Sequence, residues 1–152
     1  YENVALAVNS RDQYLFPSFF GFTYLKEEDE NKVNEVLARV KLADMRDTVA
    51  SELSYGQQKL LSFARVLLQP HRLLLLDEPV AGVNPGLRQE FAVVLKKLRD
   101  EGETMLVVEH DMEFVMDVAD FVVVMNEGKV LRQGTPAEVH SDPKVLEVYL
   151  GK

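Results

Sequence analysis

Carboxylates and one histidine lie just after two apolar runs of this 152-residue chain. Asp77 and Glu78 follow the run at 73–76, and His110 closely follows the run at 104–108. Ligands of open α/β sheets bind beyond the carboxyl ends of the strands, so these side chains are the first candidates for chemistry. An Asp at such a place suits Mg²⁺ that is held partly through water and phosphate oxygens. An adjacent Glu can take a proton from an attacking water, and a His can donate to a phosphate oxygen.

Each of these residues also has a simpler interpretation when it is taken alone. Asp77 can cap the turn before Pro79, and His110 can be a solvated loop residue. For a single residue the simpler interpretation is favoured, because one residue type at one place carries little information. Both alternatives stay open until the residues are considered together with other motifs.

A second set of candidate residues lies at the start of a predicted helix. Ser54 and Gln57 match a capping box, with Ser54 as the N-cap and Gln57 three residues later. The Ser54 hydroxyl and the amides of Gly56 and Gln57 would lie at a helix N-terminus, which favours an anion. Gly56 would also let a phosphate approach without meeting a Cβ. An ordinary helix cap is the open alternative for this segment by itself.

The elements that would position these residues follow an α/β pattern from Ser54 onward. The apolar runs at 73–76 and 104–108 predict buried parallel strands. A third strand at 121–125 turns through 126–128 into a paired strand at 129–133. Helices with apolar stripes separate the strands, so the predicted fold class is α/β, with a mostly parallel sheet flanked by helices. Helix starts are predicted at Ser54, Asn84-Pro85, Thr135-Pro136 and Asp142-Pro143.

Residues 1–53 differ from the rest of the chain in their residue pattern. They show no pattern typical of a strand, so helices and loops are predicted there. Six of the 13 Phe and Tyr residues of the chain lie within 14–24. Aromatic side chains at this density either line a partner surface or fill a small core. The acidic run at 27–30 is interpreted as a solvated helix start rather than a metal site. The helix behind it has an apolar face at Val33, Val36, Leu37 and Val40.

The composition argues against several classes of protein. A formal net charge of −8 argues against a general nucleic-acid-binding surface, which is expected to be basic. The chain has no cysteine, which removes disulfides, thiolate zinc sites and cysteine nucleophiles. No apolar run approaches the roughly 20 residues that a membrane-spanning helix needs.

Four segments, in this order, resemble the conserved motifs of the ABC-transporter ATPases. Ser54 precedes Asp77 by 23 positions and Asp77 precedes His110 by 33, and both spacings agree with that family. The resemblance runs from about Asn3 to the C-terminus. The segments are Leu53–Gln58 for the signature motif, Leu73–Pro79 for Walker B, Ala81–Pro85 for the D-loop and Val108–Asp111 for the H-loop.

The resemblance implies that two of these segments bind nucleotide. The signature motif would contact the γ-phosphate of a nucleotide held by the opposite subunit. The D-loop would cross the dimer interface beside the attacking water. The implied residues are Ser54, Tyr55, Gly56, Gln57 and Asn84.

The resemblance also implies the catalytic residues and the cofactors. Asp77 would orient Mg²⁺, Glu78 would be the general base and His110 would touch the γ-phosphate. The implied cofactors are ATP and Mg²⁺, and catalysis would consist chiefly of positioning and electrostatic stabilisation.

The sequence lacks a Walker A motif, which reads Gly-x-x-x-x-Gly-Lys-Ser/Thr, and it lacks the family's glutamine loop. We therefore expect the C-terminal part of a cassette that binds negligible ATP alone. Residues 1–53 would be the helical subdomain and the approach to the signature motif. Residues 54–152 would be the distal half of the catalytic core, with a C-terminal hairpin and helices. The strands that would flank the 73–76 strand are missing, and the apolar edge left uncovered predicts self-association.

The implied function is an ATP-hydrolysing subunit of an ABC importer on the cytoplasmic face of the membrane. Tyr55, Asn84 and the segments 134–139 and 147–151 resemble the branched-chain amino-acid uptake ATPases. Its partners would be a second ATPase subunit and the membrane permease, and no nucleic acid is expected. Phe16, Phe19 and Phe20 would either line the surface that receives the permease or fill the core of a small subdomain.

The alternative from a different class is a truncated, non-catalytic interaction module, and the sequence leaves open whether this chain alone is an enzyme. A soluble ABC ATPase of repair or translation is disfavoured because the helical subdomain lacks a large insertion. Leu60 and Ser62 replace residues that are commonly basic and acidic in the family, and we expect them to affect surface or partner contacts.

Overall fold

The structure is a computed structural model that describes residues 1–8 and 27–150. The aromatic segment predicted to face a partner or a core, with Phe16, Phe19 and Phe20, lies outside these residues. The described helices are α1 Glu2–Val8, α2 Glu27–Arg39, α3 Tyr55–Leu67, α4 Pro85–Asp100, α5 Met112–Val118, α6 Pro136–His140 and α7 Pro143–Leu150. The strands are β1 Leu74–Asp77, β2 Met105–Val108, β3 Val122–Asn126 and β4 Lys129–Gly134.

The four strands of the described residues form two small sheets. β1 and β2 are parallel, with Leu75 opposite Leu106 and Asp77 opposite Val108. β3 and β4 form an antiparallel hairpin whose turn has positive φ at Glu127 and Gly128. The α/β fold class is confirmed, but in the described part of the chain the parallel arrangement is limited to one pair. An apolar run predicts a strand without specifying its neighbours, so the sequence did not reveal this division.

The main core lies between helices α1 to α5 and one face of the β1–β2 sheet. The apolar face predicted for this helix is confirmed, since all four of its residues are buried, although the last of them, Val40, lies just beyond the end of α2. The stripes of α3 and α4 meet at Phe63 and Phe91, whose ring centroids are 5.3 Å apart. A smaller cluster beneath the hairpin contains Val122, Val139 and Val145.

Two predictions about burial are wrong. The strands were predicted to be buried, but Leu75, Leu106 and Val108 are 68%, 56% and 57% exposed. These side chains share one face of the sheet, while those on the other face pack against the core, so the β1–β2 sheet is covered on one face only in the described part of the chain. Leu60 was expected at a surface, but it is 1% exposed and lies in the main core. Ser62 is exposed and donates a hydrogen bond to the Gln58 carbonyl, as is typical of a surface helix position.

The helix starts follow the predicted capping chemistry. Ser54 and Thr135 each head a complete capping box, and Asn84 accepts a hydrogen bond from the Leu87 amide. Asp142 accepts from the Lys144 amide at the start of α7. The acidic run at 27–30 forms the first turn of α2, where negative charge is favoured. Within the part of the chain that the structure describes, no helix has both the length and the apolarity that crossing a bilayer requires.

Candidate functional site

The parallel pairing of β1 and β2 brings Glu78 and His110 together. The Glu78 amide donates to the Val108 carbonyl at 2.9 Å, which continues the ladder beyond the last residue of β1. Beyond this point, His110 Nδ1 lies 3.4 Å from Glu78 Oε1. Both side chains are open to solvent, with 74% of the His110 side chain and 55% of the Glu78 side chain exposed. A ligand arriving at this edge of the sheet could therefore meet both groups.

Glu78 has an unusual backbone conformation. Its φ is 44°, in the left-handed region that residues with a Cβ adopt at a cost of roughly 1–2 kcal/mol. Its carbonyl accepts two hydrogen bonds, from the Ala81 amide at 3.2 Å and from Lys59 Nζ at 3.1 Å. These contacts fix the turn after β1, and Lys59 connects that turn to α3.

Asp77 has the properties of a ligand that shares Mg²⁺ with phosphate. It ends β1, it is exposed, and its carboxylate has no ion-pair or hydrogen-bond partner among the described residues. Within residues 1–8 and 27–150, no group of three or more acidic or histidine side chains could hold a metal ion by itself. A single free carboxylate fits an ion that keeps water and takes its remaining ligands from a nucleotide.

The capping box at the start of α3 uses part of the predicted anion-binding surface. The Gln57 amide donates to Ser54 Oγ at 3.3 Å, and the Ser54 amide donates to Gln57 Oε1 at 2.9 Å. The Gln57 amide is therefore engaged within the helix cap. The Ser54 oxygen acts as an acceptor in this bond, which leaves its hydroxyl proton able to donate to an anion.

Gly56 and Tyr55 pack against the segment predicted to be the D-loop and the helix that follows it. A Cβ on residue 56 would lie 3.0 Å from Leu87 Cγ and closer still to its Cδ2. Close packing against α4 therefore accounts for glycine at this position, in addition to any approach of a phosphate. Gly82 has a φ of 72°, and a Cβ there would lie 3.4 Å from Tyr55 Cε1. The Asn84 side chain caps α4 at the end of the same turn.

The sequence did not single out Glu109, which lies at the centre of these contacts. Its side chain is 1% exposed. Its Oε1 accepts from the Val80 amide at 3.0 Å, and its Oε2 accepts from the His110 amide at 3.2 Å. In the sequence, the position of Glu109 directly before His110 was the only hint of a role, and that position does not predict that the Glu109 side chain is buried. Lys59 was missed for a similar reason, because its partner is a backbone carbonyl.

A salt bridge and a helix cap hold the segment after His110. Asp111 caps α5 by accepting from the Phe114 amide at 3.0 Å, and it also pairs with Arg88 of α4. Burial alone would raise the pKa of Asp111, but the hydrogen bonds from the Phe114 amide and Arg88 outweigh burial and hold that pKa below its ordinary value. Arg88 also reaches Glu113 at 3.3 Å. The pair of Arg88 and Asp111 ties the H-loop segment to α4, the helix that follows the D-loop segment.

The sequence matches two family profiles and several curated relatives. The ABC transporter profile matches residues 2–81, and the profile of the branched-chain amino acid ATP-binding cassette transporter matches residues 130–152. The "Probable branched-chain amino acid transport ATP-binding protein LivG" of Archaeoglobus fulgidus is 38% identical over 152 residues. That alignment covers 99% of this chain and 59% of the relative. The sulfate/thiosulfate import ATP-binding protein CysA of Bacillus cereus is 39% identical over 150 residues, which are 98% of this chain and 40% of CysA.

Solved structures show the same likeness. MJ1267, an ATP-binding cassette of an ABC transporter, has a TM-score of 0.78 and 32% sequence identity, with 97% of this chain and 61% of MJ1267 covered. CbiO1 of Clostridium perfringens, part of the ABC transporter complex cbiONQ, has a TM-score of 0.72 and 31% identity, with 88% and 55% covered. This chain thus spans only part of the length of these proteins. The chain belongs to the ABC transporter family of ATP-binding proteins.

Proposed function

We propose that this chain supplies one side of an ATP-hydrolysing site in an ABC importer. The observation that carries the proposal is the meeting of Glu78 and His110 at the end of β1 and β2, next to the unpaired carboxylate of Asp77. These are the residue types that activation of water, contact with a phosphate and binding of Mg²⁺ require. The membership of the family supports the same assignment.

The proposed reaction is attack of water on the γ-phosphorus of ATP. A bond forms between the water oxygen and phosphorus, and the bond from phosphorus to the bridging oxygen of ADP breaks. Glu78 takes a proton from the water, and His110 donates to an oxygen of the transferred phosphoryl group. Mg²⁺ held beside Asp77 would neutralise phosphate charge. The products are ADP and inorganic phosphate.

The signature segment is proposed to act on a nucleotide that a second ATPase subunit holds. The free hydroxyl proton of Ser54 can donate to a phosphate oxygen, at a helix N-terminus whose dipole favours negative charge. Tyr55, Gly56 and Gln57 form the first turn of that helix, and Asn84 ends the D-loop segment packed beside it. Closure of two such subunits around ATP would drive a membrane permease.

The proposed solute is a branched-chain amino acid. The profile match at residues 130–152 and the names of several relatives support this choice, whereas the CysA relatives are named for sulfate and thiosulfate import. The protein would lie on the cytoplasmic face of the membrane, held there through the permease.

Transport by the intact complex in vesicles tests this function. ATP-dependent accumulation of labelled leucine should exceed that of labelled sulfate by at least about tenfold, which corresponds to about 1.4 kcal/mol of discrimination. The variant Asp77→Asn should abolish accumulation. The control Asp44→Asn changes another exposed carboxylate, far from Asp77 in the sequence, and should leave accumulation unchanged. Preference for sulfate would refute the solute, and accumulation by Asp77→Asn would refute the metal role.

A second candidate function is self-association of this chain. The exposed face of the β1–β2 sheet presents Leu75, Leu106 and Val108, and burial of such a patch favours pairing with another copy. Sedimentation of the 152-residue chain should show a dimer that Leu106→Asp converts to monomer. Val49→Asp, at a 60%-exposed site outside the sheet, should leave the dimer intact. A wild-type monomer at high concentration would refute this candidate.

A further inference from the structure

Glu109 carries a buried carboxylate that is satisfied by two backbone amides. Its side chain is 1% exposed, and both of its oxygens accept hydrogen bonds, from the Val80 amide at 3.0 Å and from the His110 amide at 3.2 Å. No Lys or Arg of the described residues lies within ion-pair distance of it, and only His110 Nδ1 comes near, at 3.8 Å. A buried carboxylate that lacks hydrogen-bond partners costs free energy. The fold therefore favours conformations that keep both amides bonded to Glu109.

The contacts of Glu109 close a ring that contains both proposed catalytic groups. Glu78 reaches His110 through the two side chains, at 3.4 Å. The His110 amide reaches Glu109, and Glu109 reaches the amide of Val80, which is two residues after Glu78. Glu109 therefore connects the backbone at His110 to the backbone just after Glu78, and this connection holds Glu78 and His110 in place relative to each other.

Glutamate suits position 109 better than other residue types, because two backbone N–H groups face its side chain. Two N–H donors face the side chain, and a carboxylate offers an acceptor oxygen to each. Glutamine would offer one oxygen and would turn an NH₂ group towards the other amide. Aspartate is one methylene shorter and would not reach both amides from the same backbone position. Alanine would leave both amides without this acceptor.

We propose that Glu109 is a positioning residue that holds His110 beside Glu78 and ties the H-loop segment to the turn that opens the D-loop segment. The catalytic part of this inference rests on the proposed function, whereas the structural tie does not. Glu109 hydrogen-bonds to two backbone amides and lies 3.8 Å from His110 Nδ1, so its loss acts through His110 and Glu78. Turnover should suffer more than the binding of nucleotide.

Steady-state ATP hydrolysis by the intact transporter tests the catalytic part. Glu109→Gln should lower kcat by about tenfold and leave KM for ATP within about twofold, as expected when a group that acts in the transition state is misplaced. The matched control is Glu113→Gln, which changes an 85%-exposed carboxylate on α5. The control should keep both constants. An unchanged kcat in Glu109→Gln, or a loss shared equally by Glu113→Gln, would overturn the inference.

Amide hydrogen exchange in this chain tests the tie independently of ATP hydrolysis. Glu109→Ala should speed exchange of the Val80 and His110 amides by at least about tenfold, while Glu113→Ala leaves both protected. The Phe91 and Leu95 amides within α4 report whether a variant stays folded, and Glu109→Gln replaces Glu109→Ala if they lose protection. Unchanged exchange at both amides would overturn the tie. If the wild-type transporter does not hydrolyse ATP, the proposed function fails, and the exchange result still decides the tie.

Discussion

Replacement of Gly56 by alanine tests whether packing or phosphate binding requires glycine in the signature segment. The added Cβ would lie 3.0 Å from Leu87 Cγ and closer to its Cδ2, whereas carbon atoms normally approach to about 3.5–4.0 Å. Leu87 must therefore change its conformation or α3 must move away from α4. Overpacking of this kind costs about 1–3 kcal/mol, and the helix propensity of alanine returns up to about 1 kcal/mol. We expect a net loss of about 1–2 kcal/mol in the free energy of unfolding.

Urea unfolding of four variants in the absence of nucleotide measures this effect. Gly56→Ala should be destabilised, and Leu87→Ala should be destabilised by the loss of a half-buried side chain. In the double variant the space left by Leu87 accommodates the new methyl group, so the combined loss should be smaller than the sum by at least about 0.5 kcal/mol. Gly86→Ala is the matched control, because a Cβ there meets only Asn84 Oδ1, at an ordinary 3.5 Å.

The phosphate explanation predicts a different pattern in the same experiment. If Gly56 is needed only for a nucleotide to approach, Gly56→Ala should be as stable as Gly86→Ala when no nucleotide is present. Equal stability of these two variants, or strict additivity with Leu87→Ala, would refute the packing argument. Destabilisation with rescue would show that glycine is required by the fold before any ligand binds.

Three further predictions concern single contacts. Leu60→Arg introduces the basic residue that is common in the family. It should lower the free energy of unfolding by more than about 3 kcal/mol, because an unpaired charge replaces a 1%-exposed side chain. A smaller loss measured by thermal melting would contradict the buried position of Leu60. Thr135→Ala removes the Thr135 hydroxyl from the α6 capping box and should cost about 1 kcal/mol in urea unfolding, whereas Ser141→Ala, at the C-cap of the same helix, should cost less. The lowered pKa of Asp111 stabilises the fold at pH values above the ordinary 3.8, and this contribution is lost as pH falls through the lower pKa of the folded state. The difference in stability between wild type and Asp111→Asn should therefore be largest near neutral pH and shrink in acid, and a pH-independent difference would be inconsistent with the role of Arg88.

Local chemistry was predictable from the sequence, and long-range packing was not. The caps at Ser54, Asn84 and Thr135 were predicted because each depends on a residue three positions away. The meeting of Glu78 and His110 was predictable from one rule, that parallel strands present their carboxyl ends at one edge.

The remaining features depend on partners that are distant in the chain. An apolar run cannot reveal that one face of β1 and β2 is left uncovered in the described part of the chain. Leu60 belongs to the apolar stripe of α3, but the family pattern at that position suggested a surface, and the packing of α3 in the main core decides its burial. Glu109 is buried because two amides, one of them 29 positions away, satisfy both of its oxygens. No single-sequence signal marks such a carboxylate.

Hydrolysis of ATP by the intact transporter carrying Glu78→Gln is the most direct test of the central claim, that this chain supplies the catalytic carboxylate. Loss of a general base should lower kcat by about 10²–10⁴-fold while Mg-ATP still binds, because Asp77 and the signature segment are unchanged. Glu127→Gln, at an exposed hairpin turn, should keep wild-type turnover. Turnover of Glu78→Gln within about twofold of wild type, with nucleotide binding intact, would contradict the account.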